Sequence, residues 1–128
     1  MTLTRHHIFK LLIMKKIFRK LAGKIVTIYA NRLYTKAVKE ADKAHEKLKE
    51  RIYVVSSWGD ISELVVLNRD TFRKMKKTFN SNDNMASLME GAWYYTTDRA
   101  GKNGLSDLEK DIRRVSFIRH VLSKASLL

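Results

Sequence analysis

An α+β architecture is expected of this chain on three observations. Residues 4–50 carry apolar side chains at helical spacing among many Lys and Arg. Residues 51–68 hold two β-branched runs around a turn, and residues 106–125 repeat apolar side chains at helical intervals behind a capping sequence. The order helix, hairpin, helix, strand, helix fits a long basic N-terminal helix, a small antiparallel sheet covered by helices on one face, and a C-terminal helix. With 128 residues the chain is long enough for one modest core, and a single domain is expected over residues 14–128.

The N-terminal stretch organises the rest. At about 100° per residue, Met14, Ile17, Phe18, Leu21, Ala22, Ile25, Ile28 and Tyr29 fall on one side of a helix, with Lys16, Arg19, Lys20, Lys24, Thr27 and Asn31 opposite. Ala30, Leu33, Ala37, Ala41, Ala44 and Leu48 form a second stripe, rotated well away from the first. One helix would then meet partners on two faces, or it bends or breaks near Asn31. The small alanines suit close approach of another helix or of the sheet.

Charge is concentrated in the same stretch. Residues 1–39 hold ten Lys or Arg and no acid, so +10 of the net +13 lies there; the remaining 89 residues are near balance, with 16 basic against 13 acidic. The isoelectric point is near 10.1. An anionic partner is the direct implication.

Residues 1–13 have two readings. Phe9, Leu11, Leu12 and Ile13 point in nearly all directions around a helix, and Met14-Lys15-Lys16 resembles an ordinary bacterial start, so these residues are either an upstream extension or an apolar arm. The run from Ile8 to Met14 is interrupted by Lys10 and closed by Lys15-Lys16, too short to span a bilayer and lacking the cleavage pattern of a secretory signal. Cysteine is absent, which removes disulfides, thiolate nucleophiles and Cys-based zinc sites and is compatible with a reducing cytoplasm, the expected location. Proline is absent too, in keeping with helices and short turns.

Further along, residues 51–57 and 63–68 flank Trp58-Gly59-Asp60 and read as a β-hairpin. Asn68 can cap a following helix whose apolar side is Phe72, Met75 and Phe79, with Arg73, Lys74, Lys76 and Lys77 around it. Residues 80–84 are a loop by composition, and residues 85–90 form one or two helical turns ended by Gly91. Residues 92–97, Ala-Trp-Tyr-Tyr-Thr-Thr, are the third strand. Ser106 with Glu109 makes a capping box, and Leu108, Ile112, Val115, Ile118, Val121, Leu122 and Ala125 give a sustained helical stripe.

Catalytic patterns are not evident. His6, His7, His45 and His120 are dispersed without ligand spacing and read as surface residues; no Gly-x-Ser-x-Gly elbow occurs, and the carboxylates mostly lie among Lys and Arg as on a solvated face. No enzymatic activity, cofactor or metal is expected. The segment 98–109 has the length of a calcium-binding EF-hand loop, but Ala100 and Lys102 stand where oxygen ligands are needed. Gly101-Lys102-Asn103-Gly104 resembles the Gly-x-x-Gly loop of KH nucleic-acid-binding domains, which clamps backbone phosphates. That likeness covers four residues, and the preceding Trp-Tyr-Tyr-Thr-Thr does not read as the helix such a loop follows. Glycine-freed amides beside Arg99 and Lys102 would attract an anion; an ordinary turn into a helix accounts for the same residues. Tyr53, Trp93 and Tyr95 are candidates to share a sheet face and stack bases, or to fill a core.

These observations lead to a small basic non-enzymatic protein that binds DNA or RNA through phosphate contacts. The candidate residues are Lys15, Lys16, Arg19, Lys20, Lys24, Arg73, Lys74, Lys76, Lys77, Arg99 and Lys102. A peripheral membrane protein anchored on anionic lipid by the same helix, or a protein-interaction module, is the alternative. Burial of the Ile17/Leu21/Ile25 side, which a sheet this small is expected to need, favours nucleic acid. Exposure of that side favours the alternatives.

Overall fold

The computed structural model describes residues 5–56, 63–78 and 89–128, and in it the first helix, α1 (Arg5–Leu48), runs without interruption. At 44 residues it is about 66 Å long. Of the two arrangements left open by the sequence, the continuous helix is therefore the one adopted. It stops where Lys49 takes a left-handed φ of 56° while its amide still reaches the His45 carbonyl at 2.7 Å, an αL ending filled by a residue other than glycine.

The hairpin follows as β1 (Ile52–Ser56) and β2 (Leu64–Asn68), antiparallel with Val54 opposite Val66. Helix α2 (Arg69–Thr78) begins at once, because the Asn68 side chain accepts the Thr71 amide at 2.8 Å. The third strand, β3, is shorter than expected. Only Tyr94–Tyr95 pairs as a strand, with Tyr95 opposite Tyr53, although the Trp93 and Thr96 amides extend the contact to the Val54 and Ile52 carbonyls. Sheet order is β2-β1-β3. The last helix, α3 (Asp107–Lys124), is capped by Ser106, whose hydroxyl accepts the Glu109 amide at 3.2 Å. The Trp58-Gly59-Asp60 turn and the 80–84 loop lie outside the described residues, as do the side chains of Phe72, Met75 and Phe79; of the turns expected over 85–90, residues 89 and 90 are described, and 89–91 are helical.

Which apolar side is buried differs from the expectation. The core takes the second α1 stripe: Ala30, Ala37 and Ala41 are buried, and so are Tyr34 and Val38 between them. Ala30, Tyr34 and Val38 pack on Phe117, Ile118 and Val121 of α3, while Ala37 and Ala41 let Ile52 and Val54 come close to the helix. The first stripe stays outside; Phe18 is 64% and Ile25 66% exposed, and Met14, Ile17, Leu21, Ile28 and Tyr29 are more than half exposed. A small sheet did not need this stripe, because α3 and the alanine face supply the cover.

Two further expectations are corrected. The sheet is covered on both faces, since Tyr53 and Leu67 are buried opposite the α1 side, with Ala92, Met89 and Tyr95 around them. Tyr53 and Tyr95 thus share a face as core, whereas Trp93 joins the α1–α3 cluster, edge-on to Phe117 at 5.4 Å between centroids. The α3 stripe is also divided: Ile118 and Val121 are buried, but Leu108 (70%), Ile112 (56%) and Val115 are exposed. Phe117, which lay off the expected stripe, is the fully buried anchor of α3.

Candidate functional site

Every residue from Ile13 to Leu21 is exposed, whichever way it points around α1, and from Ile13 onward Ala30 is the first fully buried residue. The domain therefore grips α1 from its middle onward. Contact nearer the N-terminus comes from Arg19, whose guanidinium donates to the Ser126 carbonyl at 2.8 Å, at the far end of the antiparallel α3.

Successive steps of about 100° relate the buried and exposed sides. Ala30, Tyr34, Ala37 and Ala41 point one way along α1, and Met14, Ile17, Phe18, Leu21, Ile25 and Ile28 point the opposite way, directly outward from the core. On that same outward side the sequence changes character after Tyr29: Arg32, Lys36, Lys39 and Lys43 take the next positions, all exposed. One face of one helix is thus apolar from Met14 to Ile28 and cationic from Arg32 to Lys43. Sequence reasoning counted Arg32, Lys36 and Lys39 in the net charge without placing them on a face. Extending the helical projection of the first stripe past Tyr29 would have found them.

The expected cations divide. Lys15 and Lys24 border the apolar face, where their long stems can lie along it and their ammonium groups reach its edge. Lys16, Arg19 and Lys20 sit on the far side, in line with the face buried farther along, and Arg19 is engaged there. Arg73 and Lys74 are exposed on α2, next to β2, and Arg99 and Lys102 are exposed on the loop after β3. Since β1 lies between β2 and β3, these two groups occupy opposite edges of the sheet. The Lys76 and Lys77 side chains lie outside the described residues. The described cations among them are not gathered into one surface.

The 98–104 loop is satisfied internally. One Asp98 carboxylate oxygen accepts the Ala100 and Lys102 amides, each at 2.9 Å, so the loop's own side chain takes the place expected for an external anion. The Lys102 amide, followed by the Ala100 amide and the charge of Arg51, holds this carboxyl below the usual range despite some desolvation. Gly101, at φ 76°, allows the turn, and its amide returns to the Asp98 carbonyl. A β-strand rather than a helix precedes the loop, unlike the setting of a KH loop.

The described histidines are not surface residues. His45 Nδ1 lies 2.8 Å from the Glu50 carbonyl oxygen and its Nε2 lies 3.2 Å from Thr97 Oγ1. His120 is half-buried against Trp93. Among the described residues no three His, Asp or Glu side chains converge on a metal-sized site, and no helix is long and apolar enough to cross a membrane. No family model, curated protein or solved structure matches the chain.

Proposed function

We propose that the protein is a peripheral membrane-binding protein that lays the outward face of α1 along an anionic lipid surface. The observation that carries this reading is the position of the Met14–Ile28 stripe, exposed and turned directly away from the core, with Lys15 and Lys24 at its borders. Fully burying one large apolar side chain is worth about 1.5–3 kcal/mol. Six that are each roughly half exposed leave several kcal/mol available from entering the acyl boundary. Each Lys or Arg near an anionic leaflet adds about 1 kcal/mol. Arg32, Lys36, Lys39 and Lys43 would then meet headgroups along the same line, with the sheet and α3 held on the side away from the lipid.

Pairing of two α1 stripes is disfavoured by charge, because residues 1–39 hold ten cations and no acid, and a second copy would oppose cation to cation. Duplex nucleic acid is the second reading, supported by the Arg32/Lys36/Lys39/Lys43 row and the isoelectric point near 10.1. It gives the apolar face nothing to do.

The test is co-sedimentation with vesicles of phosphatidylcholine alone and of phosphatidylcholine with phosphatidylserine, beside gel shifts with duplex DNA and RNA. Binding to the anionic vesicles is expected, with loss in Ile17→Ser/Ile25→Ser at an unchanged melting temperature, since both positions are exposed. Binding to duplex alone, with log K falling by about 0.9 per phosphate contact against log salt, would replace this reading with the second.

A further inference from the structure

α3 carries an apolar stripe that its own domain does not use. Leu108, Ile112, Val115 and Arg119 follow one another at intervals of four, three and four residues, the spacing of a coiled-coil seam, and all four are exposed. Phe117 and Val121, on the opposite side, hold α3 to the core. The charges beside the seam are ordered along the helix. Asp107, Glu109 and Asp111 flank its first half and Arg119 lies in its second, whereas Lys110 and Lys124 are on the opposite side of the helix, Lys110 over the Tyr94 ring. Arg113 and Arg114 do not disturb this order, because both are turned to other work. Arg113 donates to the carbonyls of Met89, Glu90 and Ala92, and Arg114 bonds Asn31 and Asp111.

A seam edged by acids in its first half and carrying Arg119 in its second complements a copy of itself laid antiparallel. We infer that α3 is the interface of a two-fold symmetric homodimer in which the Leu108/Ile112/Val115 seams pack antiparallel. With the axis between Ile112 and Val115, Ile112 of one copy meets Val115 of the other, and the Arg119 stem crosses Leu108 so that its guanidinium reaches Asp107, Asp111 being paired already with Arg114. A parallel pair would set acid against acid. Anionic lipid is a poor occupant for the same reason, since three carboxylates edge the seam. Among the described residues Asp107 and Arg119 have no ion-pair partner within one chain. At 18 residues, about 27 Å, the seam is short, so the dimer forms in a concentration-dependent way. The inference does not depend on lipid binding by α1.

Sedimentation equilibrium of the full chain over a wide concentration range tests it. The mass is expected to rise from 14.9 kDa toward twice that value. Ile112→Asp, at an exposed position, should remain monomeric throughout with an unchanged far-UV spectrum. Arg119→Glu should also be monomeric, and adding Asp107→Arg in the same chain should restore the dimer by exchanging the charges. Ile17→Ser/Ile25→Ser should dimerise as the parent does. A parent that is monomeric at every concentration, a dimer untouched by Ile112→Asp, a dimer lost in the α1 variant, or a charge exchange without rescue would overturn the proposal.

Discussion

The Tyr34 hydroxyl donates to the Trp93 carbonyl oxygen over 2.8 Å, joining the middle of α1 to the segment that enters β3. The ring packs on Phe117 at 6.0 Å and is 1% exposed, so the oxygen it serves has little access to water. Tyr34→Phe keeps the ring and strands that carbonyl. A loss of about 1–3 kcal/mol is expected, measured as a shift of the urea midpoint at constant slope.

The same phenol makes stability sensitive to alkali. Burial pushes Tyr34 up from 10.0 to about 12, against the partly offsetting charges of Arg113 and Arg114. Tyr94 is raised as well, by burial and by the bond it donates to Asp42. The folded state thus favours the neutral phenol. Its contribution is complete below the unfolded value of 10 and is lost as the pH rises through about 12. Urea midpoints should fall across that window, and less steeply in Tyr34→Phe. An equal decline in both proteins would remove Tyr34 as a cause.

On α3, two apolar truncations should separate. Phe117→Ala empties a fully buried site and should cost about 3–5 kcal/mol. Ile112→Ala, at dilution where the chain is monomeric, should lie within about 0.5 kcal/mol of the parent. Equal losses would place Ile112 in the core.

Two glycines should respond in opposite directions. A Cβ at Gly104 would lie 2.7 Å from Thr97 Cγ2 and 3.3 Å from the Thr97 amide, and Thr97 is held by its 3.2 Å bond to His45. Gly104→Ala should therefore destabilise by about 1–3 kcal/mol. Gly23, inside α1, has nothing within 4 Å of the added atom, and Gly23→Ala should stabilise by about 0.5–1 kcal/mol. Thermal melts of the two variants check both signs.

Hydrogen exchange should divide α1. In water, amides of residues 13–21 lack tertiary cover and should exchange more than about tenfold faster than those of residues 30–41. Anionic vesicles should close most of that gap. A uniform pattern in water would mean that the first turns have cover of their own.

What the sequence determined by itself is local. Ser106 and Asn68 start their helices with side chains that reach amides three residues on, and such caps depend only on neighbours in the chain. The β-branched runs around residues 52–56 and 64–68 pair in the expected hairpin, and a proline-free α1 continues past Asn31. Tertiary structure decided which surfaces meet. α1 has two apolar stripes, and periodicity gives their directions around the axis without saying on which side the sheet lies. Close approach chose the alanine side, where Ile52 and Val54 can come near, and this drew in Tyr34 and turned Phe18 and Ile25 outward. The same holds for Asp98, whose carboxylate fills the amide pocket that looked open to an anion, and for Ile112, left outside when Phe117 became the anchor of α3. Burial is a relation between two surfaces, and the spacing of residues along one helix describes only one of them.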